Sequence, residues 1–390
     1  MNLYHNLINL EFTIFFVFLF LVYFKFGTMK SFLIFIHLIT IFMLNDFLFP
    51  QSYFGDQRFY VQMASSFRDT FDIPFIFQSG IKQGLPSLLF SLFPIPFVTT
   101  VQSLAMINFM IFLIIYLFIK TKFQECKYVE YFILLYPSLL LYTSLALRDT
   151  LILFFMITSI YYLIVKKRYY LGILFSFPLL IIKVQNFLMI YFALYLTFVL
   201  YTKIHKIKKL GLAIIPLGAL FLLSDIKIAR FTLGEYFTIE KLEFYRYNMF
   251  AESYNYQWEL VSQLPYEPIT SIFSFFRLGL INLIQILINP LPWSATNPLQ
   301  LFQSIENLII LFIFVFLIIK KCDNSHLNYC FGYIKILLFV SMGIIGLVVY
   351  NYGAAARFKF PFVAIFIIYS ILFLDADKLL KSYNYNHTKI

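Results

Sequence analysis

Long apolar stretches separated by short lysine-bearing junctions make up most of the chain. They occupy roughly 7–24, 31–49, 99–119, 129–147, 150–165, 169–182, 184–202, 210–224, 302–319, 331–349 and 360–374. A helix needs about 20 predominantly apolar residues, within a range of about 17 to 25, to cross a bilayer core. Several runs reach that length and the others come near it. The pattern predicts an all-α polytopic integral membrane protein with about 11 transmembrane helices. The first run lacks a basic leading region and a small-residue cleavage site, so it reads as a retained span and not as a signal peptide.

Two apolar stretches do not read as full crossings. Leu85–Phe97 is broken by Pro86, Pro94 and Pro96, and Ile269–Ile288 contains Arg277 and runs into Asn289-Pro290-Leu291-Pro292-Trp293. Both are predicted as re-entrant or interfacial helices on the outer face. A further helix is predicted after Asp56, where Phe59, Met63 and Phe67 recur four residues apart as on an amphipathic surface helix.

Composition turns the pattern into an exclusion. Of 390 residues, 61% are hydrophobic and 13% are charged, about half the charged share of a soluble domain. That share cannot cover a water-soluble particle of this size, which removes soluble enzymes, nucleic-acid binders and disordered scaffolds. The net charge of +11 then matters through its location. Lys25 and Lys30; Lys120, Lys122 and Lys127; Lys166, Lys167 and Arg168; Lys203, Lys206, Lys208 and Lys209; Lys320 and Lys321; and Lys378 and Lys381 fall at every second junction. With basic loops inside, the N-terminus lies outside and the C-terminus is cytoplasmic. Segments 50–98 and 225–301 become two long outer segments of a single transmembrane domain covering 1–390. Cys126, Cys322 and Cys330 have no metal-site or disulfide spacing.

This topology separates the two basic residue types. Of the eight arginines only Arg168 is inside; Arg58, Arg68, Arg148, Arg230, Arg246, Arg277 and Arg357 face outward. Guanidinium is a planar fork that holds phosphate and carboxylate bidentately, whereas ammonium is a hydrated point charge. Outward arginines suit a lipid-linked phosphate or diphosphate, or an acidic glycan. For Arg230 and Arg246, head-group contacts or nearby acidic partners explain the choice equally well. Arg148 and Asp149 form a charged pair between two apolar runs, a functional candidate or an ion pair closing a helical hairpin. Lys183 repeats the arrangement at the next outer turn, where a snorkelling lysine is the plain alternative. Asp56 heads its helix either as an N-cap or as a carboxylate available as general base toward a sugar hydroxyl.

The absences narrow the chemistry. The histidines are His5, His37, His205, His326 and His387, and there is no H-E-x-x-H, P-loop or G-x-S-x-G sequence. No paired Asp at D-x-D spacing offers a magnesium site on the outer segments, so neither a metal nor a cofactor is expected.

Three stretches together carry a resemblance. They are Asn289-Pro290-Leu291-Pro292-Trp293-Ser294-Ala295-Thr296-Asn297, leading into Ser304-Ile305-Glu306-Asn307, and Asn351-Tyr352-Gly353-Ala354-Ala355-Ala356-Arg357-Phe358-Lys359-Phe360-Pro361. With the Pro137–Asp149 hairpin in the middle, the chain resembles the Wzy-like polymerases of O-antigen and capsule repeat units. The resemblance implies a metal-independent glycosyltransferase of the bacterial inner membrane. Such an enzyme transfers an oligosaccharide from undecaprenyl diphosphate to another lipid-linked unit, alongside a chain-length regulator protein. It implies Arg148, Arg277 and Arg357 as the diphosphate ligands, supported by Lys183, and Asp56 or Asp149 as base. Arg58, Trp293, Asn351 and Lys359 become substrate-binding candidates. Two other classes stay open: a glycosyltransferase using polyprenyl-phosphate sugar, and a flippase for the same lipid-linked units.

Overall fold

Thr100, Ser271 and Asn324 start helices as capping side chains, and Pro137 and Pro298 open two others. The computed structural model describes residues 2–45, 47–48, 56–77, 80–123, 126–203, 205, 208–209, 211–212, 227–228, 231–232, 239–255, 266–295 and 298–387. These fall into two compact units, one made of Met1–Leu188 with Lys378–Ile390 and the other of Met189–Asp377. No linker marks the boundary, because it lies inside the continuous helices Val184–Tyr201 and Tyr352–His387. Composition therefore gives no sign of it.

The first unit carries α1 (Asn2–Tyr23), α2 (Thr28–Leu44), α3 (Asp56–Thr70), α4 (Ile73–Phe77), α5 (Ile81–Ser91) and α6 (Val101–Lys122). It continues with α7 (Lys127–Leu135), α8 (Pro137–Thr143), α9 (Asp149–Ile160), α10 (Tyr169–Ile182) and the start of α11 (Val184–Tyr201). A π-helical turn, Tyr161–Val165, extends α9. The centre is α6, buried along most of its length. It starts on a capping box in which the Thr100 hydroxyl accepts from Ser103 N at 3.0 Å and the Ser103 hydroxyl accepts from Thr100 N at 3.1 Å.

Side-chain contacts fix the direction of each neighbour. Asn9 binds Phe97 through both its amide groups, and Lys120 donates to Phe24 O at 3.5 Å, so α1 and α6 run the same way. His37 hydrogen-bonds Leu134 O at 3.1 Å and Lys30 pairs with Glu130 at 2.5 Å, so α2 and α7 run together in the other sense. Tyr161 meets the rings of Phe118 and Phe123 at the far end of α6. Lys25, Lys30, Lys120, Lys122, Lys127 and Lys166 thus collect at one end of this unit, and Asp56, Lys82 and Arg148 at the other.

The expected span 129–147 is not one helix. Pro137 has no N–H to continue α7 and instead opens α8, which stops at Thr143. Ser144–Arg148 is then non-helical, with Ser144 to Leu147 buried. Buried backbone groups need partners, and three amide side chains supply them. Asn45 donates to Ser144 O at 2.8 Å, and Asn108 donates to Leu145 O at 2.6 Å and Leu147 O at 2.7 Å. Gln57 accepts from Ala146 N at 2.7 Å.

The second unit carries the rest of α11, α12 (Ile239–Asn255), α13 (Ile272–Ile288), α14 (Pro298–Ile318), α15 (Ser325–Val348) and most of α16 (Tyr352–His387). A two-residue antiparallel pair, Lys227–Ile228 with Phe231–Thr232, is the only strand pairing among the described residues. Helix α13 lies antiparallel along α15: Gly343 faces Leu283, Gly346 faces Asn282, and Leu347 faces Gly279. A β-carbon on Gly346 would stand 2.8 Å from the Asn282 carbonyl, so glycine is what lets the two backbones approach. At the far end of α15, Asp377 accepts from Asn324 N at 2.9 Å and Asp323 N at 3.2 Å.

Among the described residues six helices are long and apolar enough to cross a membrane: Leu3–Tyr23, Val101–Lys122, Val184–Tyr201, Pro298–Ile319, Ser325–Val348 and Tyr352–Leu380. Thr28–Leu44, Asp149–Val165, Tyr169–Ile182 and Phe273–Ile288 are apolar but shorter. The chain is a helical, multi-pass membrane protein. The expected span at 210–224 lies outside the described residues apart from 211–212. The Pro-rich stretch Leu85–Phe97 contributes only the end of α5 and a loop, and Arg277 sits within α13.

Candidate functional site

In the first unit three helix starts meet. Helix α3 begins at Asp56, one position inside the helix rather than at the cap, and its Gln57 is tied to Ala146. Helix α5 begins after Gly80, whose φ of 97° suits a residue without a β-carbon. Arg148 precedes α9 and donates from Nη1 to Lys82 O, in the first turn of α5, at 3.2 Å. Asp56 and Lys82 are exposed and Arg148 is half-buried. Partial desolvation, and then the Arg148 charge, hold the Lys82 ammonium below its ordinary pKa, while Asp56 acts in the opposite sense. One carboxylate and two cations therefore share an open surface at the positive ends of three helices.

Asp149 is adjacent in sequence but differently placed. It is 3% exposed, inside the first turn of α9, whereas Asp56 opens to solvent. Lys183 forms the half-buried break between α10 and α11. Arg58 faces away from the Asp56 cluster into a cleft along α3.

The second unit gathers residues that lie far apart in the sequence. Lys359 is buried and donates from Nζ to Asn307 Oδ1 at 2.7 Å and to Ile286 O at 2.9 Å, with Glu306 acting on it electrostatically. Asn307 donates in turn to Asn289 O at 2.8 Å. The Pro-x-Pro-Trp loop, the start of α14 and the start of α16 are thus joined around one ammonium at the C-terminal end of α13. Lys359 anchors this junction and has no open face for a ligand. Asn351 caps α16, its Oδ1 accepting from Gly353 N at 2.7 Å. Trp293 is 80% exposed on the turn Pro292–Ser294. Arg277 is ion-paired with Glu267, and Arg357 is half-buried in the first turns of α16.

Arg246 resolves into a structural role. It is fully buried, donating from Nε to Leu347 O at 2.8 Å, from Nη1 to Glu243 at 2.5 Å and from Nη2 to Glu267 O at 3.1 Å. The rings of Tyr266 and Tyr350 flank it, each at 5.8 Å. Burial and the Glu243 hydrogen bond push the Tyr266 phenol well up, and burial pushes Tyr350 up to about 12. Both phenols stay neutral around the guanidinium. Arg68 is likewise spent on backbone carbonyls, donating to Ser91 O at 2.7 Å, Ile95 O at 2.5 Å and Phe93 O. Arg230 lies outside the described residues.

Sequence reasoning missed Lys82, Gln57, Asn108 and Asn307. A lone lysine beside Gly80 carried no periodic signal, although an outward lysine against a lysine-inside pattern was a readable exception. Asn108 and Asn307 sit in apolar helices, where each polar residue demands a partner, and Gln57 is a buried amide of the amphipathic α3. Among the described residues no three His, Cys, Asp or Glu side chains group as for a metal ion. No family model matches the chain, no curated protein matches it, and no solved structure matches it.

Proposed function

We propose that the chain is a repeat-unit polymerase that joins undecaprenyl-diphosphate-linked oligosaccharides into a surface polysaccharide, O-antigen or capsule, at the outer face of the bacterial inner membrane. The observation that carries this reading is the open cluster of Asp56, Lys82 and Arg148. In the reaction the Asp56 carboxylate takes the proton of the acceptor hydroxyl. The hydroxyl oxygen bonds to the anomeric carbon of the donor unit. The bond from that carbon to the diphosphate breaks, and undecaprenyl diphosphate leaves with the electron pair. Arg148 and Lys82 stabilise its charge from fixed positions. Asp149 is too enclosed to reach a glycan, so the base is Asp56.

The collection of lysines at one end of the first unit supports a cytoplasmic placement of that end. With the basic loops inside, our reading keeps the N-terminus outside, the C-terminus cytoplasmic and about 11 crossings. Arg277 and Arg357 are further ligands for the lipid-linked unit, Trp293 is a stacking face for sugar, and a chain-length regulator is the expected protein partner. Asp56 beside cations in the first outer segment also suits a transferase of single sugars from polyprenyl phosphate, the second reading.

Arg148 provides the test. Removing one preorganised donor typically costs about 100- to 1,000-fold in rate, about 2.7–4 kcal/mol. Arg148→Lys keeps the charge but loses the fork, so it should remain strongly impaired. Cells carrying either Arg148→Ala or Arg148→Lys at normal membrane levels should display single repeat units without long chains. Wild-type chain lengths in both would remove Arg148 from the mechanism. Loss of all surface units would favour transport of the lipid-linked unit instead.

A further inference from the structure

Three ties close a triangle around Asp56, Lys82 and Arg148. The first joins α5 to α9, through the Arg148 guanidinium on Lys82 O at 3.2 Å. The second joins α3 to α5. There Met63 and Phe67 pack with Leu88, Tyr60 meets the Phe90 ring edge-on at 6.2 Å, and Arg68 donates to Ser91 O at 2.7 Å. The third joins α3 to the segment before α9, where the Gln57 side-chain oxygen accepts from Ala146 N at 2.7 Å.

Gln57 occupies a place that the helix pattern reserves for an apolar residue. It begins the buried stripe Gln57, Tyr60, Val61 and Ala64, at i, i+3, i+4 and i+7, and is 1% exposed. A buried amide costs free energy unless it is paired. Its partner belongs to Ser144–Arg148, which is non-helical, so side chains from other elements set the path of that segment. Asn45, at the end of α2, and Asn108, on α6, hold its carbonyls, and neither helix carries a reacting group. Gln57 holds it from the helix that starts at Asp56. One peptide unit separates Gln57 from the base, and two separate Ala146 from Arg148.

We infer that Gln57 is a positioning residue for the transfer reaction, setting the distance between the Asp56 carboxylate and the Arg148 guanidinium. This rests on the polymerase reading and deepens it. The base acts on the oxygen that attacks the anomeric carbon, and the cation acts on the diphosphate that leaves it. The two groups must therefore be spaced to serve both bonds at once. A misplacement of about 1 Å can cost about 100-fold in rate. Gln57 touches no reacting atom and acts through its two neighbours.

The test is a double-mutant cycle on the purified full chain, extending radiolabelled lipid-linked repeat units. Gln57→Met keeps the length and the burial but gives the Ala146 N–H no strong acceptor. Alone it should lower kcat about 10- to 100-fold, with KM within about twofold of wild type. In the Arg148→Ala background the same substitution should cost less than about threefold, because no guanidinium remains to be placed. Gln57→Asn, one methylene short of Ala146 N, gives the same comparison where Gln57→Met does not accumulate. A wild-type kcat in the Gln57 variant, or an equal fall in both backgrounds, would make Gln57 a satisfied core amide. Either result would overturn the inference with the polymerase reading intact. Wild-type protein that extends no units would defeat that reading and the inference together.

Discussion

Asp56→Asn should abolish chain growth while leaving the protein in the membrane at normal levels. Loss of a positioned base typically costs about 100- to 10,000-fold, the largest catalytic effect expected of any single side chain here. The structural cost is small. Asp56 is exposed, asparagine is well tolerated at helix starts, and an acidic group in a first turn is worth only about 0.3–1 kcal/mol. Extension of lipid-linked repeat units by purified wild type and variant, compared at equal protein, measures the effect. Equal rates would make Asp56 a helix-start residue and nothing more. Asp149→Asn is not an equivalent control, since that carboxylate is enclosed in α9.

The largest effect on stability is expected at Arg246. Its guanidinium is fully buried and ties α12 to the end of α15 and to the Glu267 backbone. Removing one partner of a buried pair leaves the other uncompensated, at a cost of about 3–5 kcal/mol. Arg246→Leu strands Glu243, which also accepts from Ile269 N at 2.9 Å and from Tyr266. Arg246→Leu should therefore lower the thermal unfolding midpoint in detergent far more than Arg58→Leu, whose side chain is exposed. Equal midpoints for the two variants would mean that Arg246 is an ordinary surface charge.

The helical, membrane-embedded character was legible because period and composition agree along nearly the whole chain. The limits of α10 follow from Arg168 before it and Lys183 after it. The break at Pro137 was legible as chemistry, but the unwinding of 144–148 was not. That segment is apolar and reads as helix, and it opens only because Asn45, Gln57 and Asn108 arrive from three other elements to bind its backbone. The same reason hid the site. Asp56 and Arg148 carry local signals, a charge at a helix start and a charge between apolar runs. Lys82 becomes relevant only when α5 folds back so that its carbonyl meets Arg148. Lys359 shows the opposite error: its motif suggested a ligand contact, and its burial against Asn307 and the end of α13 makes it an anchor. Arg68 and Arg246 teach the same point, since an outward arginine can be occupied by backbone carbonyls and, for Arg246, a carboxylate of its own chain.

The central claim is that fixed cations and one carboxylate drive glycan transfer from a lipid diphosphate. The direct measurement is chain extension by the purified protein in liposomes, given undecaprenyl-diphosphate-linked repeat units in excess EDTA. The account predicts that wild type makes a ladder of extended chains under chelation and that Asp56→Asn and Arg148→Ala make none. A ladder that needs added magnesium or manganese, or extension only by single sugars from a polyprenyl-phosphate donor, would contradict it.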